Sequence, residues 1–229
     1  MVRERTGKYG TYYGSCFDET GWLSEEQKEI NAVYIYFYLY LSGWSVNAIC
    51  GVLGNMEHES VLNPGIWEGN NVGNTLGGYG LVQWTPASRH INWCNERGLD
   101  PSAMDSNLMH IVWEVNDGDD YYSTTSYPIS YAQFIESTET PYYLACAFAW
   151  NYERSAVVLW GANSWSEAQS LTEAEKEANR EKLRQDRGGS ANKWYELFTG
   201  ENAPTIPIFK KKKKMPLWMY LNHELNMEV

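Results

Sequence analysis

Residues 51–68 read GVLGNMEHESVLNPGIWE, and the rest of the chain is read outward from them. Val46, Ile49, Cys50, Leu53 and Met56 recur at helical spacing, which predicts a helix over 46–60. Asn63-Pro64-Gly65 stops it, because the residue before a proline avoids the α region. From Ile66 to Trp84 the pattern changes. Five glycines fall there, followed by Leu81, Val82 and Trp84 in near alternation, which predicts a small twisted β-hairpin. A hairpin folded against helices leaves a cleft at their junction. Glu57 and Glu59, in the last turn of the helix, are expected at the lip of that cleft.

Upstream, residues 1–23 are rich in Gly and Tyr without a period and read as an irregular arm. Ser24 with Gln27 forms a capping box that opens a helix running to about Leu41. Downstream, Thr85-Pro86 opens a helix that ends at Gly98. Asp105 opens one carrying Leu108, Ile111 and Val112, and Ser130 opens one carrying Phe134 and Ile135. Thr140-Pro141 opens one carrying Leu144, Ala145, Phe148 and Tyr152. Residues 155–190 read as an insertion. Within it Thr172-x-x-Glu175 caps a polar helix to about Gln185, expected to pack loosely on the body. A last helix covers about Ala191 to Phe198. The expected architecture is mainly α (α+β): a body over 24–200, then a linker and Lys-rich tail over 201–229.

Composition narrows the function. The 229 residues carry a net charge of −11, which argues against nucleic acid as the partner, since phosphate binding needs clustered Lys and Arg. The one basic run, Lys210 to Lys214, reads as a solvated part of the tail. Aromatic residues make up 15%, enough to fill a core and still offer ring faces to sugars. Cys16, Cys50, Cys94 and Cys146 form no CxxC, which excludes a zinc knuckle; the last three fall in apolar stretches and read as buried small hydrophobes. No metal site and no cofactor are expected. The N-terminus lacks an apolar core, and no window of about 18 apolar residues exists, so neither a secretory signal nor a transmembrane helix is expected.

Two segments carry chemistry. Glycoside hydrolysis needs a carboxylic acid still protonated near neutral pH. The negative end of a helix dipole and an apolar surround both disfavour a carboxylate. Glu57 projects with Val46, Cys50 and Leu53, and Glu59 with Val52 and Met56; helical phase does not choose between them, and Glu59 lies nearer the helix break. In Gly78-Tyr79-Gly80-Leu81-Val82-Gln83-Trp84-Thr85 no Lys-Ser/Thr follows the glycines, which rejects a phosphate loop. Gln83 can instead present its amide to a sugar. Other chemistries fare worse. His58-Glu59 begins a zinc protease motif, but position 62 is Leu. Cys50 or Cys94 with His90 or His110 would make a cysteine nucleophile, but neither cysteine has a setting that lowers its pKa.

Three blocks together, GVLGNMEHESVLNPGIWE, GGYGLVQWTPAS and FAWNYERSA, resemble the signature blocks of phage tail lysozymes, relatives of goose-type lysozymes and lytic transglycosylases. The resemblance covers roughly residues 25–199. It implies a lysozyme-like fold and cleavage of the peptidoglycan glycan strand between N-acetylmuramic acid and N-acetylglucosamine. It implies Glu59 as general acid, with Gln83, Tyr79 and Tyr152 along the substrate cleft; Trp84 is expected beside them, and Asn74 is a further candidate to bind sugar or water. Glu153 and Arg154 are expected to hold the late helix in place through ion pairs. Glu68, nine residues after Glu59, is a candidate second carboxylate. A lytic transglycosylase and a non-catalytic peptidoglycan-binding virion module are the alternatives. Peptidoglycan and phage tail proteins are the partners implied, with location in the virion or release at lysis. About two dozen residues around Val157 to Asp186 depart from the family pattern.

Overall fold

The computed structural model describes residues 1–117, 120–201 and 203; the Lys210–Lys214 run and the rest of the tail lie outside them. The chain begins with two antiparallel strands, β1 (Val2–Gly7) and β2 (Gly10–Ser15). Helices come next: α1 (Glu25–Leu41), α2 (Val46–Ser60), α3 (Ser88–Asn95), α4 (Met104–Asp117), α5 (Tyr131–Glu136) and α6 (Pro141–Phe148). A π turn (Ala149–Glu153) continues α6, and α7 (Ala156–Trp160), α8 (Trp165–Ala168) and α9 (Glu173–Thr199) complete the order. The fold is mainly helical, as the sequence implies.

The caps explain most boundaries. Ser24, Ser130 and Thr172 each close a capping box with a Gln or Glu three residues on, and Thr140 caps α6 with Pro141 behind it. Helix α2 starts at the Ser45 cap and ends where Val61 and Leu62 turn left-handed, with φ 49° and 61°. It is the central element. Ala48, Ile49, Val52, Leu53 and Met56 are fully buried among α1, α6 and α9.

The first fifteen residues are not irregular. Residues 2–15 form the only strand pair among the described residues, from Val2↔Ser15 to Gly7↔Gly10, while residues 16–23 hold a single turn and no regular element. The pair's apolar alternation is weak, and Tyr12 alone is a large buried anchor. Two buried asparagines dock it. Asn31 on α1 accepts from the Tyr13 amide and donates to the Tyr13 carbonyl, both at 2.7 Å. Asn63 accepts from the Ser15 amide at 3.0 Å and donates to Gly21 O at 2.8 Å. Arg5 also ties the hairpin to Ser102 and Asp100.

The hairpin expected over 66–84 is absent. That segment makes only isolated bridges, Trp67↔Tyr79 and Tyr79↔Trp84, and a 3₁₀ turn over Glu68–Asn70. Positive φ at Gly69, Asn70, Gly73, Gly80 and Gln83 turns the backbone too often for a ladder to propagate. The loop is pinned instead by side chains. Ser60 donates to Leu81 O at 2.8 Å, and Asn107 accepts from the Leu81 amide at 2.9 Å.

Helix α9 is the other correction. The expected break between Gln185 and Ala191 does not occur, and one helix joins an exposed first half to a closely packed second half. Its first half is exposed and held by i,i+3 ion pairs such as Glu173–Lys176 and Glu181–Arg184. Its second half buries Gly188, Ala191, Trp194 and Phe198 against the body. Two glycines of α2 admit its neighbours: a Cβ on Gly51 would meet Leu144 Cβ at 2.8 Å, and one on Gly54 would meet Arg187 O at 2.5 Å. Gly54→Ala therefore lowers stability by about 1–3 kcal/mol, measured by chemical denaturation. Gly189→Ala, an exposed helical position whose added methyl meets nothing, raises it by about 0.5–1 kcal/mol.

Candidate active site

The C-terminus of α2, the 66–84 loop and the chain after the π turn enclose a groove of about 470 Å³. Glu59, Glu68, Gln83 and Glu153 line it, with Trp22 at one rim and Arg154 at another. Trp22 is 66% exposed and is carried there by the docked N-terminal segment.

Glu59 sits in the last turn of α2 and is largely covered. Its Oε1 accepts a hydrogen bond from the Arg187 guanidinium, whose other nitrogen donates to Asn55 O at 2.7 Å. Arg187 belongs to the segment expected as a loose insertion. One signal existed: Arg187 stands before Gly188-Gly189, and glycine inside a helix marks close approach when something packs there. Tyr142 lies where a Gly188 side chain would be.

Glu57, which helical phase left open, is elsewhere. It accepts from Lys193 at 2.9 Å and lies 3.4 Å from Lys28. Burial pushes its carboxyl up, but Lys193 and Lys28 outweigh that and hold it below the ordinary range. It is a fixed anion outside the groove.

Glu153 reaches the groove through the π turn. The extra residue in a π turn rotates the residues after it, a distortion common at functional sites. Tyr152 consequently faces inward and Glu153 faces the groove, with Arg154 left-handed at φ 46°. The Glu153 Oε1 is buried and has no hydrogen-bond partner. Burial, then the charge of Glu59, holds this carboxyl well above its ordinary value against the opposing pull of Arg187. The ion pairs expected of Glu153 and Arg154 do not form among the described residues; Arg154 instead lies over the Tyr122 ring at 4.4 Å.

Three aromatic residues expected along the cleft lie beneath it. Tyr79 is wholly buried against Trp67, and Trp84 and Tyr152 are nearly so. Trp84 Nε1 donates to Glu114 at 2.9 Å and the Tyr152 hydroxyl donates to it at 2.6 Å. They carry the groove floor rather than offer faces to a ligand. Asn74 is spent on the turn, accepting from the Leu76 amide at 3.3 Å, and does not line the groove. Glu68 does line it, but one oxygen accepts from the Gly78 amide at 2.7 Å. Gln83 keeps its place on the wall, its amide donating to Gly80 O at 3.0 Å.

Under the floor lies a sealed polar layer. His90 Nε2 is assigned as donor to Pro101 O at 3.0 Å, so His90 Nδ1 accepts from His110 Nδ1 at 2.9 Å. Cys94 lies 3.5 Å from His90, but both are fully buried and burial pushes the thiol up to about 12. That pair is no nucleophile. Cys50 and Cys146 are also buried, as expected.

Residues 30–198 match the family of phage tail lysozymes. The chain belongs to that family. It is also 35% identical over 192 residues to "Morphogenesis protein 1" of Bacillus phage B103, an alignment covering 84% of this chain and 46% of that protein. The chain thus spans about half the length of the curated relative it matches. No helix among the described residues is long and apolar enough to cross a membrane.

The polar layer makes stability depend on pH. Burial raises Glu114 to about 8, against the hydrogen bonds from Tyr152 and Trp84. A raised carboxyl contributes stability that is present below its unfolded value of 4.5 and lost as pH rises toward about 8. Burial lowers His90 to about 4 and His110 to about 2; their contribution is present above 6.5 and lost as pH falls below it. Above pH 6.5 only Glu114 acts among these three. Between pH 6.5 and 8 the unfolding free energy should fall by up to about 1.4 kcal/mol per pH unit from this group. Denaturant titrations of Glu114→Gln should show a correspondingly flatter slope over that window.

Proposed function

We propose that this phage tail lysozyme homologue cleaves the glycan strand of bacterial peptidoglycan at the β-1,4 bond between N-acetylmuramic acid and N-acetylglucosamine, with Glu59 as general acid. The observation that carries the reading is the shared groove: a carboxyl at the end of a buried helix, a Gln amide and a second buried carboxyl open onto one space. A groove of about 470 Å³ accommodates a saccharide segment, and the exposed Trp22 ring at its rim supplies an apolar face for a sugar ring.

Glu59 donates its proton to the glycosidic oxygen as the C1–O bond breaks, and the electron pair goes to that oxygen. Water then adds to C1, and its released proton returns to the Glu59 carboxylate. Glu68, already accepting from a backbone amide, holds the loop that carries Gln83 and faces the same space, so it remains a candidate to orient that water. The peptidoglycan wall is the proposed partner, and phage tail proteins are the proposed neighbours in a virion. The name of the Bacillus phage relative supports that placement.

Purified peptidoglycan and the Glu59→Gln variant test the reading. Loss of a general acid lowers turnover by about 10²–10⁴-fold, so Glu59→Gln should leave wall clearing at about 1% or less with its melting temperature preserved. Undiminished clearing by the variant would remove Glu59 from its role. Absence of clearing by the unaltered protein would favour the wall-binding module. Mass spectrometry of the products separates hydrolysis, which leaves a reducing end, from an anhydro-sugar-forming transglycosylase; the reducing end is expected.

A further inference from the structure

We infer that Glu59 and Glu153 jointly hold a single dissociable proton in the groove they line, so that Glu153 stores the proton that Glu59 delivers. The inference rests on the reading of Glu59 as the donor, and it resolves a difficulty in that reading. A general acid must carry a proton, yet the partner of Glu59 is a guanidinium, which only donates hydrogen bonds and cannot resupply a proton.

The geometry supplies the counterpart. Glu153 faces the same groove, carries a buried oxygen without a partner, and lies within electrostatic reach of both Glu59 and Arg187. Two carboxylates beside one arginine leave an unbalanced buried negative charge. One proton on the pair makes the group of three neutral, and burial favours that neutral state. An unpartnered carboxylate oxygen is costly, whereas a protonated Glu153 carries less charge to desolvate. The other charged groups around the pair do not replace either member. Glu114 on α4 is committed to Trp84 and Tyr152, and His58 on α2 turns away to Asp186 O and Ser190. Glu68 across the groove is tied to Gly78, Arg154 lies over Tyr122, and the nearby Tyr131 phenol is held neutral by burial.

The proton balance closes. Glu153 holds the stored proton. As Glu153 gives it up to solvent in the groove, Glu59 takes one up from that solvent and passes it to the glycosidic oxygen as that oxygen takes the C1–O electron pair. The attacking water leaves its hydroxyl on C1 and returns its second proton to the pair. Arg187 offsets charge while both carboxyls are ionised. Glu153 acts on substrate only through Glu59 and is therefore a positioning residue.

A direct test needs no substrate. In protein labelled with ¹³C at the glutamate carboxyl carbons, the Glu153 signal is identified by its absence from Glu153→Gln, or by elimination if that variant does not fold. Glu153 should titrate well above the ordinary glutamate value in the unaltered protein. In Glu59→Gln its midpoint should move down by at least about one pH unit, a tenfold change in proton affinity. In Arg187→Met it should move up. A Glu153 midpoint near the ordinary glutamate value, or one unmoved by Glu59→Gln, overturns the inference, whether or not the protein cleaves glycan. A second readout uses activity. The alkaline limb of the kcat/KM profile on peptidoglycan should shift down by at least about one pH unit in Glu153→Gln and up in Arg187→Met. A merely structural Glu153 would lower activity equally at every pH. Correct titration with undiminished clearing by Glu59→Gln would instead retire the glycosidase reading alone.

Discussion

Helix α9 can lie against α2 only because Gly54 has no side chain. The carbonyl of Arg187 occupies the space a methyl group would need, and the side chain of the same residue reaches back to Glu59 and Asn55 O. Close backbone approach and the ion pair are thus one contact. It sets the depth of Glu59, removes most of its exposure to solvent, and places a fixed positive charge at the end of α2. The remaining walls adapt to this seam. The 66–84 loop is tied down from Ser60, in the same last turn of α2, and the π turn brings Glu153 into the groove lining.

The groove stands on a floor of buried polar groups. Glu114 accepts from Trp84 and Tyr152, and the His90–His110 pair stacks with Trp84. Such a layer is stable only while its members stay neutral or bonded, because a buried charge without a partner is costly. It constrains Trp84 and Tyr152, two of the rings expected along the cleft from the family resemblance. Their polar ends are directed at Glu114, so the loop and the late helix are joined through one carboxyl. Exposed aromatic surface at the groove comes instead from Trp22, on a segment whose place is decided by Asn31 and Asn63.

Local signals were legible where local physics decides the outcome. The caps at Ser24, Ser130, Thr140 and Thr172 depend on side chains within three residues of the backbone they satisfy, and all four form. The apolar period of α2 and the stop at Asn63-Pro64 are equally local. The expectation failed where a partner distant in sequence decides. The strands of residues 2–15 find their register on α1, the glycine-rich loop is held by Asn107 rather than by a ladder, and α9 runs through Gly188-Gly189 because Tyr142 fills the space beside it.

The amino-acid sequence by itself determined the helical class, the position of Glu59 at a helix end and its nearness to a glycine-rich loop, since these come from period, caps and turn residues. Helical phase alone leaves Glu57 and Glu59 equivalent, and nearness to the helix break and the family resemblance favour Glu59. The tertiary structure supplies the physical difference, by placing Lys28 and Lys193 on one and the groove on the other. It alone brought Arg187, 128 residues away, onto Glu59, and turned Glu153 from an expected strut into a neighbour of that site. The reason is range. A cap or a periodic face is fixed by bonds a few residues long, whereas the charge around a buried carboxyl is the sum of everything the fold packs against it.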